Sequence, residues 1–284
     1  MDYYAKTKQN LLNSENIEFT VVPALYDLNV RIAREIADHI KLKNSQNEKT
    51  HLILPVGPLD YSYLADVCNK EKISLKNLVL FMMDEYVGED GNIIPHDHSL
   101  GFYSFMKRSL ADKLDIDLNF DMRNINFPDP HNPELVTEKI EEIGGVDICY
   151  GGFGITGHFA FNDPPEPGEN MTVKEMGNTR ARVLTISRES TVQMAMGGTN
   201  GNLKILPVRA VTLGMYELLM SKKIHLTFMR SWHAGVLRRA LFGPITAECP
   251  GSLIQNHPNF CVTLTELAAQ PPVTDVAQVT GEEK

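Results

Sequence analysis

The stretch Leu78-Val79-Leu80-Phe81-Met82-Met83-Asp84-Glu85-Tyr86-Val87-Gly88 decides how this sequence reads. Its first six residues are apolar without alternation, as in a strand covered on both faces. The run then stops at two adjacent carboxylates and a tyrosine. In an open α/β sheet the ligand crevice lies at the carboxyl ends of the strands. An acid placed there can project into it, and partial burial raises its pKa towards that of a useful general base. The competing reading is that Asp84 caps the next turn and Glu85 is solvated.

Working outward, similar short apolar runs fall at 19–22, 52–54, 146–150, 183–186, 224–229 and 260–264. Amphipathic patterns lie between them. Leu28, Ile32, Ile36 and Ile40 repeat every fourth residue and predict a helix over 25–41. Phe105, Met106 and Leu110 mark a second helix, and Leu237 with Leu241 a third. Such alternation predicts an α/β fold: a three-layer, mostly parallel, Rossmann-like sheet with helices on both faces. No linker or repeat divides the chain, so residues 1–268 are expected to form one domain. The polar stretch 269–284 reads as a mobile tail. Residues 164–178, rich in Pro, Gly and Glu, read as a long surface loop of the kind that serves as a lid.

Composition bounds the function. The 284 residues carry 36 acids against 27 bases, a formal net charge of −9. That balance argues against a nucleic-acid partner, which selects a basic face. No apolar run approaches the roughly 18 residues of a membrane span, and the first residues lack the apolar core of a signal peptide. Cys68, Cys149, Cys249 and Cys261 are scattered without a Cys-x-x-Cys pair. Reduced core thiols in a cytoplasmic protein are the expectation.

A second segment follows the run at 146–150: Gly151-Gly152-Phe153-Gly154-Ile155-Thr156-Gly157-His158-Phe159-Ala160-Phe161-Asn162-Asp163-Pro164. Glycines after a buried strand let backbone N–H groups approach a ligand. His158 offers an imidazole for proton transfer, and Asp163 can orient it. A glycine-rich turn holding a hydrogen-bonded histidine is the alternative. His96-Asp97-His98 lacks a matching ligand cluster and reads as a polar loop rather than a metal site. Residues 197–202, Gly-Gly-Thr-Asn-Gly-Asn, read as a flexible loop near the site.

Together these segments resemble the glucosamine-6-phosphate deaminase/isomerase family, within the superfamily that includes 6-phosphogluconolactonase. The resemblance spans residues 19–265. It rests on Met83-Asp84-Glu85-Tyr86-Val87-Gly88 and on Gly151-Gly152-Phe153-Gly154 with Gly157-His158, Ala160-Phe161-Asn162 and Pro164. Tyr103-Ser104-Phe105-Met106 and Ala210-Val211-Thr212-Leu213-Gly214 add to it. It implies an enediol-type aldose–ketose isomerisation coupled to loss of ammonia. Asp84 then moves a proton between C1 and C2, and His158 assists ring opening. Asp163 stands where the family has a glutamate. Being one methylene shorter, it is expected to need a water or a small shift to reach the histidine. The implied partner is a small sugar or sugar phosphate, with no cofactor and no metal. A homo-oligomer is the assembly expectation.

Four places depart from the family pattern. Thr156 stands where an aspartate precedes the histidine by two residues, and it cannot stabilise an imidazolium by charge. The phosphate-binding turn aligns with Val56-Gly57-Pro58-Leu59-Asp60, which adds a negative charge and loses an N–H donor. The family's phosphate-binding arginine and lysine align near Met194 and His233, leaving Arg188 or Arg230 as substitutes. An unphosphorylated or differently substituted sugar is the resulting expectation, with Trp232 and His233 as a substrate wall. Val56, Gly57, Glu85, Gly152, Gly154, Arg188, Arg230 and His233 are the expected substrate-binding residues. A lactonase using His158 to activate water, and a non-catalytic sugar sensor, are the alternatives.

Overall fold

The computed structural model describes residues 2–57 and 59–272. Its strands are β1 (Glu18–Val22), β2 (Thr50–Leu54), β3 (Leu78–Met82), β4 (Asp84–Val87), β5 (Ile125–Asn126), β6 (Ile148–Gly151), β7 (Arg182–Thr185), β8 (Arg209–Thr212), β9 (Ile224–Phe228) and β10 (Phe260–Thr265). The helices are α1 (Lys8–Leu12), α2 (Leu25–Ser45), α3 (Ser62–Glu71), α4 (Phe102–Ser109), α5 (Glu134–Glu142), α6 (Val173–Gly177), α7 (Arg188–Gly198), α8 (Met215–Leu219), α9 (His233–Phe242) and α10 (Glu266–Ala269).

Seven strands form one sheet in the order β1-β10-β9-β6-β2-β3-β5, and every pairing in it is parallel. Both faces are covered, which is why its strands carry no polar alternation. Leu52 and Leu54 of β2 pack with Leu28, Ile32, Ile36 and Ile40 of α2. Ile53, between them, packs on the opposite face with Leu237 and Leu241 of α9. The two-residue period of the strand thus feeds both cores. The helix stripe read over 25–41 runs on to Ser45.

A second, three-stranded antiparallel sheet, β4-β8-β7, lies beside the first. Its strands β4 and β8, and the two-residue β5, were not anticipated. The run at 183–186 forms β7, in this small sheet rather than the main one. The expected loop 164–178 carries the short helix α6, started by a Thr172–Glu175 capping box. Residues 197 and 198, read as loop, end α7. Ala269, read as the start of a tail, is buried at the end of α10, and residues 273–284 lie outside the described residues. All four cysteines are buried free thiols. Among the described residues no helix is long and apolar enough to cross a membrane.

Candidate active site

From β2 the chain builds outward through β3 and β5, then returns to the other side of β2 with β6. The strand order therefore reverses between β2 and β6, and a crevice opens at their carboxyl ends. A cavity of about 440 Å³ sits there. Val56 and Gly57 after β2, Asp84 after β3, and Gly152 and Gly154 after β6 all line it. No residue of 164–178 lines it, so the lid expected there does not border the cavity.

Asp84 and Glu85 take opposite directions, as neighbours in a strand must. The β4–β8 register sets Asp84 opposite Thr212, whose hydroxyl donates to the Asp84 carboxylate. The Phe161 N–H donates to the same oxygen at 3.3 Å. Burial pushes the Asp84 carboxyl up to about 7 against those two donors. Glu85 points into the core and accepts from the N–H groups of Tyr86, Phe102 and Tyr103 at 2.8, 3.0 and 2.8 Å. The last two are the open donors of the first turn of α4, whose N-cap Gly101 has no side chain to satisfy them. The expectation that Glu85 binds substrate is corrected: it fastens α4 and does not line the cavity.

His158 lies flat against Gly154. A Cβ on Gly154 would sit 2.0 Å from the imidazole Nε2, so a glycine is required for that approach. The His158 Nδ1 lies 2.8 Å from Asp163 Oδ1. The bond is direct, contrary to the expectation that the shorter side chain needs a water or a shift. Because a carboxylate only accepts, Nδ1 carries the proton and Nε2 is left for the cavity. Thr156 donates to Asp163 Oδ1 at 2.8 Å. Ser190 donates to the same carboxylate, with 2.9 Å to each oxygen. Burial would raise the Asp163 carboxyl, but His158, Thr156 and Ser190 hold it below the usual range.

The charged wall differs from expectation. Arg230 lines the cavity together with Arg108 of α4. The Arg230 guanidinium lies over Gly197, where a Cβ would stand 3.3 Å from one of its nitrogens. Among the described residues it has no carboxylate in ion-pair reach. Arg188, expected among the substrate-binding residues, is exposed and does not line the cavity. His233 does line it, but its Nδ1 accepts the N–H groups of Met229 and Arg230 at 3.1 and 3.0 Å. Burial, then the Arg230 charge, hold His233 down at about 3, so it is a neutral group at pH 7. The Asp60 carboxylate turns away and accepts from the Ser62 N–H at 2.9 Å. It does not line the cavity. His96, in the loop expected to be polar, stacks on Tyr103 at 3.8 Å between centroids.

The sequence reading missed Thr212, Ser190, Arg108 and Gln193. Thr212 was visible only as part of a recognisable string. Ser190 carried no local signal, since its partners lie 27 and 32 residues away.

Fold and site together define a class: a doubly covered parallel sheet whose switch point brings an acid and an acid-paired histidine to one cavity. No family model matches the chain. Its fold is shared with solved structures. A monomeric glucosamine-6-phosphate deaminase, described as a missing link of the NagB superfamily, superposes with a TM-score of 0.73 at 22% identity, covering 89% of this chain and 99% of its own. A 6-phosphogluconolactonase from Thermotoga maritima superposes with a TM-score of 0.62 at 14% identity, covering 88% and 100%. The glucosamine-6-phosphate deaminase of Bacteroides thetaiotaomicron is 32% identical over 244 residues, 84% of this chain and 85% of the relative. The chain belongs to the glucosamine-6-phosphate deaminase family.

Proposed function

We propose that the protein is an aldose–ketose isomerase that also releases ammonia from a 2-amino aldose. The observation that carries this reading is the convergence of Asp84 and His158 on one cavity. One is a carboxyl raised to about 7, and the other is an imidazole whose Nδ1 is paired with Asp163, leaving Nε2 as its unpaired nitrogen among the described residues.

In this reading His158 takes the O1 proton of the ring form and returns it to the ring oxygen, opening the sugar. Asp84 removes the C2 proton, leaving an enolamine across C1 and C2. The protonated Asp84 then delivers that proton to C1, while an amine proton passes to O1, so that C1 becomes a hydroxymethyl group as C2 becomes an imine. The resulting C2 imine takes up water and leaves as ketose and ammonia. Asp163, Thr156 and Ser190 hold His158 in its working tautomer. Gly154 leaves room for the His158 ring, and Gly152 for the Thr227 carbonyl.

Uncharged Met194 and His233 line the cavity where the family carries cations, which argued for an unphosphorylated sugar, but two other cations line it as well. It holds two arginines against one carboxyl, in a chain whose net charge is −9. We therefore assign Arg230 to an anionic group on the substrate. A charged hydrogen bond of this kind contributes on the order of 1.5–3 kcal/mol.

A panel of free and phosphorylated amino sugars, assayed for ammonia and ketose, tests the reading. Turnover of an anionic amino sugar is expected. Acid release from lactones without ammonia would replace the isomerase by a hydrolase. Thermal stabilisation without turnover would make the protein a sensor.

A further inference from the structure

The same helix that walls the cavity also reaches behind His158. Met194 and Gly197 of α7 line the ligand space, and Gln193 Oε1 accepts the Ile155 N–H at 2.6 Å. One turn earlier, Ser190 is fully buried, its N–H capped by Ser187 Oγ at 3.1 Å. Its hydroxyl lies 2.9 Å from Oδ1 and 2.9 Å from Oδ2 of Asp163, and 2.9 Å from His158 Nδ1. A hydroxyl has one proton to give and two lone pairs to offer. The carboxylate takes the proton, and a lone pair faces the Nδ1–H. Among the described residues, Ser190 is the sole hydrogen-bond partner of Asp163 Oδ2; Thr156 and His158 both engage Oδ1.

We propose that Ser190 is a positioning residue that fixes the Asp163 carboxylate against His158 and ties that alignment to the cavity wall formed by α7. The inference rests on the reading of His158 as the acid/base group. Its physical basis is local. A buried carboxylate oxygen without a donor carries a desolvation cost, which favours rotation or protonation of the acid. Either change frees the imidazole to turn. The other charged groups around the pair do not substitute. Asp84 approaches from β4 across the cavity, and Arg239 of α9 donates to the Thr156 carbonyl, at 3.5 Å. The thiol of Cys249 packs against Gly157.

The test compares Ser190→Ala and Ser190→Thr with the parent protein. For Ser190→Ala, kcat is expected to fall about tenfold with KM within about twofold. The acid limb of the rate profile, which Asp84 sets, should stay in place, while the Asp163 carboxyl itself becomes easier to protonate. Ser190→Thr, which keeps the hydroxyl, should restore most of the lost kcat. A substrate-free readout accompanies these: in carboxyl ¹³C spectra the Asp163 titration should move up in Ser190→Ala. Parent-like kcat in Ser190→Ala would overturn the proposal. So would a loss of kcat with a lowered melting temperature but an unmoved Asp163 titration. If no sugar turns over, the carboxyl titration still judges Ser190, and the functional reading fails separately.

Discussion

At the scale of single residues, two adjacent acids have opposite fates. Asp84 and Glu85 differ by one position, and the pleat sends one to the cavity and one to the core. The strand that leads to them, β3, was legible in the sequence as an apolar run ending abruptly. The local pattern did not say which acid faces the ligand, because the turn from β3 into β4 sets it; only the family resemblance singled out Asp84. Thr212 was hidden for a similar reason: it reaches Asp84 across 128 residues through an antiparallel pairing. Its hydrogen bond favours the charged carboxylate. Thr212→Val should therefore raise the Asp84 pKa above its value of about 7. One charged hydrogen bond of about 1.5–3 kcal/mol corresponds to roughly one to two pH units. Since the base form is needed, the acid limb of kcat should shift to higher pH by that amount, with activity recovered in alkali. A rate profile that keeps its acid limb would remove Thr212 from the tuning of Asp84.

At the scale of elements, the glycine-rich turn after β6 is a seat for His158. Gly154→Ala places a methyl where the imidazole lies. The ring must leave, because the obstruction arises from backbone-attached atoms on a short turn. We expect loss of acid/base catalysis by about 10²- to 10⁴-fold, with urea unfolding shifted by less than about 2 kcal/mol. Kinetics and unfolding of the purified variant check both halves, and full activity would show that His158 is not held by this contact. The alternating layers were readable because α2 repeats its apolar residues every four positions and the main strands are apolar throughout. The small sheet was not. β4 begins with two acids, and β8 has four residues starting with Arg209, so neither shows the periodicity that marks a strand. Their strand character comes from pairing with each other and with β7.

At the scale of the whole molecule, total charge and local charge point in different directions. A net charge of −9 surrounds a cavity walled by Arg108 and Arg230, which no count of acids and bases could reveal. A second charged cluster serves stability. Glu35 of α2 bonds to Lys223 at 3.1 Å, to His225 of β9 at 3.0 Å and to Tyr150 of β6 at 3.2 Å. Burial opposes the His225 charge, yet bonds to Cys261 and Glu35 push that histidine up to about 8. A raised histidine stabilises the fold fully below its unfolded pKa of 6.5, and the contribution disappears as pH rises through about 8. Urea unfolding should therefore show about 2 kcal/mol less stability at pH 9 than at pH 6 from this group. Replacing His225 by Gln should flatten that alkaline slope, and an unchanged slope would exclude the cluster as its source. The central claim, however, is that Asp84 carries a proton between C1 and C2 of an opened sugar. The direct measurement is solvent deuterium incorporation at C2 of the recovered aldose in D₂O, comparing the parent protein with Asp84→Asn. The account predicts incorporation by the parent, none above background by Asp84→Asn, and retained sugar binding by the variant. Equal incorporation by both proteins would contradict it.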